Sequence, residues 1–349
     1  MDRVRIAVIG LGKMGRTCVR VFDEHPLVTL AAVCARRQEP VDEVARQYGV
    51  PGFTDHRKML ERNDIDAVVI STPDNAHFEF AKAAIESGRH ILVEKPLVTK
   101  TSEADTLLRL AKKHKVKIQV AFNHRWLSAY HMAHDSIAKG EIGTPLVGYA
   151  RKNDTIVVST ENIRWAGETT PAWLLTSHDL DLVRWFIASE PVEARAWGRK
   201  EVLVKRGIPT YDMIQAQVRF ASGAIFTFES GWIYPNTFPT PVDSFVEVIG
   251  TAGHVHLDRK RESYEISTEK SFSYPKGFLI ADIYGRIRGA FPMCLEDFAY
   301  AVLNDTEPRV TGFDGRQVTA ALEAIHESLA HDGENVKVSA PPDDVVPKK

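Results

Sequence analysis

Val4-Arg5-Ile6-Ala7-Val8-Ile9-Gly10-Leu11-Gly12-Lys13-Met14-Gly15 opens the chain with a short apolar strand that runs straight into G-x-G-x-x-G. Each glycine of that pattern has its own reason. Gly10 permits a tight turn, Gly12 lets the backbone approach a pyrophosphate, and Gly15 allows close helix–strand contact. The helix that follows begins with Lys13 and Met14 and offers its N–H groups and positive dipole end to phosphates. Strand, glycine loop and helix in this order predict a dinucleotide site, with Gly10, Gly12, Lys13, Met14 and Gly15 as cofactor contacts.

Working outward, the same alternation repeats. Val28 to Cys34, the run Ala67-Val68-Val69-Ile70, Ile91 to Val93 and Ile118 to Phe122 are short apolar strands. Between them lie helical patterns such as Phe78, Ala81, Ala84 and Ile85, which stop at Gly88, and the stretch from Ser102 to His114. Short strands alternating with helices of roughly 10–15 residues predict βαβ units and a doubly wound parallel sheet, helices on both faces. The pattern breaks near Asn123. Beyond it, Ile214 to Phe220 and Ala224 to Ser230 flank Ala-Ser-Gly, and Phe245 to Ile249 and His254 to Leu257 flank Gly-Thr-Ala-Gly. These read as hairpins of an antiparallel sheet. The expected organisation is an α/β dinucleotide-binding domain over 1–122 and an α+β domain over 123–349 with a mainly antiparallel sheet. A last helix spans Arg316 to His331, and the tail from Pro341 to Lys349 is expected to be mobile.

Composition narrows the class. The chain has 349 residues, 44% of them apolar, enough for two cores. Its 44 basic and 46 acidic side chains leave a formal charge of −2, against the basic excess of a nucleic-acid binder. No apolar run reaches the ~20 residues of a membrane span. Cys18, Cys34 and Cys294 are far apart and odd in number, which suits a reducing cytoplasm better than a disulfide framework or a zinc site. His131 and His134 have no third partner in the sequence and read as a helix face, so no metal is expected.

Three further stretches carry chemistry. The second strand ends in Cys34-Ala35-Arg36-Arg37, with no carboxylate where an NAD site places one on the ribose. Arg36 and Arg37 suit a 2′-phosphate instead, so NADP is preferred and NAD remains possible. After the strand ending at Ile70 comes Ser71-Thr72-Pro73-Asp74-Asn75-Ala76-His77. In a doubly wound sheet such a loop lies at the ligand crevice, so Ser71, Thr72, Pro73, Asn75 and His77 are expected to contact the cofactor. Glu94-Lys95-Pro96 follows the next strand and places Glu94 and Lys95 at the same crevice.

The glycine loop, Ser71-Thr72-Pro73 through His77, and Glu94-Lys95-Pro96 together resemble the glucose–fructose oxidoreductase, inositol dehydrogenase and rhizopine-catabolism family (Gfo/Idh/MocA). The similarity continues through Phe122-Asn123-His124-Arg125-Trp126, Gly140-Glu141-Ile142-Gly143, His178-Asp179-Leu180-Asp181 and Pro308 to Gly315, and so covers essentially the whole chain. The resemblance implies a Rossmann domain followed by a domain whose open sheet mediates homodimers or homotetramers. It implies hydride transfer between a nicotinamide and a carbinol or keto carbon of a sugar, cyclitol or related polyol. Carried over by position, Lys95 contacts the reacting oxygen, His178 is the acid/base, Asp181 lies in or beside the substrate pocket, and Asn123 joins the cofactor site. The roles are chemically apt. Oxidising an alcohol needs a base for the hydroxyl proton, histidine titrates near neutrality, and an ammonium stabilises a forming alkoxide.

One departure matters. Many members carry an aspartate four residues before the histidine, and here that position is Leu174. Asp179 or Asp181 could orient His178 instead, or Lys95 could act more alone. Arg125, Asn153, Arg164 and Trp165 are expected to bind substrate. Two other readings stay open: an enzyme that keeps its nicotinamide and uses transient oxidation for elimination or epimerisation, and a non-catalytic dinucleotide-binding regulator.

Overall fold

The structure, a computed structural model, describes residues 3–347. In the first part of the chain β1 (Val4–Ile9), α1 (Lys13–Glu24), β2 (Val28–Cys34), α2 (Gln38–Tyr48), β3 (Gly52–Phe53), α3 (His56–Leu60), β4 (Ala67–Ile70), α4 (His77–Glu86), β5 (His90–Val93), α5 (Thr101–His114) and β6 (Ile118–Val120) follow one another. The six strands form one parallel sheet in the order β3-β2-β1-β4-β5-β6. This is the Rossmann order, and its direction reverses between β1 and β4, where a doubly wound sheet opens its ligand crevice. β4 is buried along its whole length, as a strand covered on both faces must be. α1 buries Gly15, Cys18, Val19 and Phe22, a stripe at helical spacing.

The second half contains α6 (Ser128–Ala138), β7 (Pro145–Thr155), α7 (Ser177–Ile187), β8 (Pro191–Arg199), β9 (Met213–Phe220), β10 (Ile225–Tyr234), β11 (Val242–Gly250) and β12 (His254–Asp258). α8 (Ala290–Leu303) and α9 (Gly312–Ala330) close the helical inventory. The sheet order is β12-β11-β7-β10-β9-β8, with Val336–Lys337 as a seventh strand beside β8. Every neighbouring pair is antiparallel except β7 with β10. One face buries Ala150, Phe226, Phe228, Val246 and Val248. The opposite face leaves Val147, Ile225 and Ile249 partly exposed, in a cross-strand row.

The chain divides into two compact units. One runs to Asn123 and takes back Ile280–Arg316 and the segment from Pro341 on; the other holds His124–Leu279 and Gln317–Ala340. The division therefore falls within α9. A single cut at 122/123 assigns α8 to the second domain, whereas α8 packs with the first. Phe291, Leu295, Phe298 and Val302 form one helical stripe, and they share a core with Val4, Ile6 and Val8. The tail also differs from expectation over its described part: Asp344 pairs with Arg109 at 2.7 Å and Val345 is buried.

Candidate active site

In the first unit the expected cofactor residues gather at the carboxyl edge of the sheet. The glycine loop is built as three distinct fittings. Gly10 has φ +96°, and a methyl there would lie 2.1 Å from the Ser71 carbonyl oxygen, so the loops after β1 and β4 touch. A methyl at Gly15 would lie 1.8 Å from the Gly10 carbonyl oxygen, which shows how tightly α1 starts against the turn. Gly12, the N-cap of α1, has no neighbour within 4 Å of such a methyl and receives no side-chain cap. The space beside the helix start is thus open backbone, and that cradle fits a pyrophosphate. Gly12 and Lys13 are exposed and Met14 is half-buried.

Arg36 and Arg37 are exposed beyond the end of β2, and Arg37 is the N-cap of α2. Ser71, Thr72 and Pro73 are half-buried, Asn75 is exposed, and its N–H donates to Asp74 Oδ1 at 2.8 Å. His77 is placed otherwise than expected. It is 1% exposed, with Nδ1 2.7 Å from the Pro96 carbonyl and Nε2 3.0 Å from the Thr72 carbonyl. Its ring edge contacts protein backbone, so it fastens the Ser-Thr-Pro loop to the Glu-Lys-Pro loop. Burial holds its pKa below the ordinary value, opposed by the Pro96 carbonyl. Glu94 and Lys95 follow the end of β5, and the Lys95–Pro96 peptide bond is cis. Burial pushes the Glu94 carboxyl up, opposed by the Lys95 ammonium. Asn123, 8% exposed, keeps a buried Oδ1 with no hydrogen-bond partner, a second vacant polar atom on this edge.

In the second unit His178 stands at the start of α7, directly after a π-helical turn over Ala172–Thr176. That wider turn carries Leu174 into an apolar group with Ala166, Leu203 and Trp232. The position that holds an aspartate in many Gfo/Idh/MocA sequences is part of a hydrophobic cluster. Each carboxylate considered as its substitute holds a cation of its own. Asp181 is fully buried and accepts from Arg125 Nε at 2.9 Å and Nη2 at 2.5 Å. Asp179 accepts from Lys152 Nζ, also buried, with burial driving the acid up and the lysine down against their mutual attraction. Arg125 and Asp181, expected at the substrate, form a buried pair with the guanidinium over Trp185. The physical reason is desolvation: a buried charge is tolerated only when partnered.

Asn153, also expected at the substrate, lies within the sheet. It is fully buried and donates from Nδ2 to Glu229 at 2.7 Å and to the Tyr234 hydroxyl at 3.0 Å, so it knits β7 to β10 within the sheet. Arg164 is exposed and Trp165 half-buried, after a π-helical turn at Val158–Asn162. His134 stacks on Trp185 at 4.0 Å. Among the described residues no group of three or more His, Cys, Asp or Glu side chains is arranged to hold a metal ion.

One residue escaped the sequence reading. His124, 3% exposed, lays its ring on that of His178, with centroids 4.2 Å apart and planes 22° from parallel. Only the chain reversal that follows β6 brings it there, and sequence spacing carries no trace of that.

A parallel sheet in Rossmann order, a glycine cradle at its switch point and a lysine at a strand end define a nicotinamide-type dinucleotide-binding oxidoreductase. The chain belongs to the GFO/IDH/MocA oxidoreductases: residues 4–122 match the family described as "Oxidoreductase family, NAD-binding Rossmann fold", and residues 130–256 its C-terminal domain. It is 30% identical to scyllo-inositol 2-dehydrogenase (NAD(+)) of Bacillus subtilis, over 89% of this chain and 90% of that protein. It is 26% identical to myo-inositol 2-dehydrogenase of Thermotoga maritima, over 93% and 96%. The crystal structure of scyllo-inositol dehydrogenase from Lactobacillus casei with NAD(H) and scyllo-inositol shares the fold, with TM-score 0.84, 22% identity and coverage of 97% and 100%.

Proposed function

We propose that this oxidoreductase transfers a hydride between a nicotinamide cofactor and a carbinol or keto carbon of a cyclitol, sugar or sugar derivative. The observation that carries the reading is the division of labour among the three glycines. Gly10 and Gly15 are filled against protein, and Gly12 alone is left open at the helix start. Gly12, Lys13 and Met14 would hold the pyrophosphate, and Ser71, Thr72, Glu94 and Asn123 the ribose and nicotinamide end. The nicotinamide, when bound, supplies the hydride acceptor or donor.

The residues of this chain supply the rest. Lys95 holds its ammonium toward the reacting oxygen and stabilises charge there, and His178 takes the hydroxyl proton on oxidation and returns it on reduction. Arg164 and Trp165 are the remaining substrate contacts. Relatives named for inositols support a cyclitol over an open-chain polyol. Arg36 and Arg37, exposed just past β2 and with no acid beside them, favour NADP, although a relative is named for NAD(+). The partly exposed apolar row Val147, Ile225 and Ile249 favours a homo-oligomer formed through the open sheet. Three buried cysteines, none of them in a disulfide, favour the cytoplasm.

The test is a panel of inositols, sugars and sugar derivatives with NAD and NADP in parallel, read as reduced nicotinamide. Turnover on a cyclitol that Lys95→Ala abolishes is expected, with NADP the better cofactor. Undiminished turnover in Lys95→Ala would overturn the assignment. Tightly copurifying nicotinamide with no net reduction would instead favour elimination or epimerisation by transient oxidation, a reading for which the apolar setting of Leu174 leaves room.

A further inference from the structure

We propose that His124 is the positioning residue of His178, its imidazole laid flat on the His178 ring in place of the aspartate that Leu174 replaces. The inference rests on the reading of His178 as the acid/base. Three observations converge on it. The Leu174 side chain is consumed in the apolar group around Trp232, so no carboxylate reaches His178 from one helical turn earlier. The two aspartates on the same helix each hold a buried cation, Asp179 the Lys152 ammonium and Asp181 the Arg125 guanidinium. The His124 ring lies 4.2 Å from the His178 ring and is itself braced edge-on by Tyr130 at 6.0 Å and 86°. A buried ring held on both sides is a rigid surface, and a half-exposed imidazole stacked on it loses its freedom to rotate away.

Stacking also couples the two rings in charge. Two imidazolium cations at this separation repel strongly, so the first proton taken up by the pair disfavours the second. Tyr130 borders His124, and on the helix of His178 Asp181 is paired with Arg125 and Asp179 with Lys152, while the field of Arg259 reaches Tyr130, Lys152 and Asp179. The two stacked rings then titrate as a unit through their own contact. His124 thereby sets both the direction of the His178 ring and the pH range over which that ring stays an acceptor.

The experiment compares the full-length wild type with His124→Phe, which keeps a flat ring without a titrating group, and His124→Ala, which removes the ring. The His178 Cε1–H resonance, assigned by its loss in His178→Gln, is followed by NMR from pH 4 to 9. Two steps separated by at least about one pH unit are expected in wild type and a single step in His124→Phe. Turnover of myo-inositol and scyllo-inositol, where present, should fall about tenfold to a hundredfold in His124→Ala and be restored to within about threefold of wild type by His124→Phe. A single-step titration with the same midpoint in wild type and His124→Phe overturns the proposal, as does equal turnover in wild type and a folded His124→Ala. If wild type reduces neither cofactor with any inositol, the activity reading fails while the NMR titration still decides the pairing. If His124→Ala does not fold, His124→Phe and the titration decide alone.

Discussion

Arg125 grips Asp181 through both of its carboxylate oxygens, with side chains only 9% and 1% exposed. A bidentate pair this dry holds its geometry because removing either partner strands a charge away from water. Asp181 is therefore a fixed strut between α7 and the turn after β6. Asp181→Asn should lower the urea midpoint by the equivalent of about 3 kcal/mol or more, the usual cost of breaking a buried pair. Arg125→Met with Asp181→Leu should recover much of that loss. Equilibrium unfolding of the single and double variants checks both, and a neutral Asp181→Asn would contradict the strut.

The glycine loop separates folding from binding in one comparison. Gly12→Ala adds a methyl in open space, at φ −72° where any residue is comfortable. It should leave the melting temperature nearly unchanged and weaken dinucleotide binding at least tenfold, about 1.4 kcal/mol. Gly15→Ala forces a methyl against the Gly10 carbonyl and should cost several kilocalories of stability, as overpacking of backbone does. Calorimetry and NADH or NADPH fluorescence titration read the two effects separately. Equal loss of stability in both variants would mean that Gly12 too is packed.

What the sequence made legible and what it hid follow one physical line. The glycine loop, its strand and its helix are local, so residue spacing alone specifies them. The second-unit polar residues are not local. The polar run Arg151-Lys152-Asn153-Asp154 lies within β7, where Lys152 meets Asp179, Arg151 meets Asp243 and Asn153 meets Glu229 across the fold. The buried partners of Arg125, Asn153 and Asp181 were equally hidden, because buried pairing and ligand contact use the same residue types. Leu174 was visible as a departure, but its partners Leu203 and Trp232 lie far along the chain. α8 was invisible as a member of the first unit, since an apolar stripe states that a helix is buried and not against what.

His77 connects the loop after β4 to the loop after β5. Its ring spans the Thr72 and Pro96 carbonyls at 3.0 and 2.7 Å. His77→Phe retains the volume and removes both contacts, taking the ring N–H away from whichever of the two carbonyls it serves. The expected cost is about 2 kcal/mol, within the range for unsatisfied buried groups. Dinucleotide binding should weaken together with stability, because both tethered loops belong to the cofactor edge. Parallel unfolding and binding titrations check this, and an unchanged affinity in a destabilised variant would confine His77 to packing.

His326 predicts an acid limb of stability. Its Nδ1–H donates to the Leu322 carbonyl at 2.6 Å, its Nε2 accepts from the Thr170 hydroxyl at 2.7 Å, and Trp173 stacks on its ring at 4.8 Å. These contacts suit the neutral ring, and burial lowers its pKa from 6.5 to about 4, opposed by the Leu322 carbonyl. Above pH 6.5 the ring is neutral in both folded and unfolded chains and contributes no pH dependence. Between pH 6.5 and 4 the unfolded chain binds the proton and the folded chain does not, so stability falls as pH falls. The span of the shift corresponds to at most about 3 kcal/mol, reached near pH 4 and flat below it. His326→Gln can still donate to one partner but takes up no proton. The difference in unfolding free energy between wild type and variant should therefore narrow as pH drops from 7 to 4, and a constant difference across that window would show that the ring is protonated in the folded state.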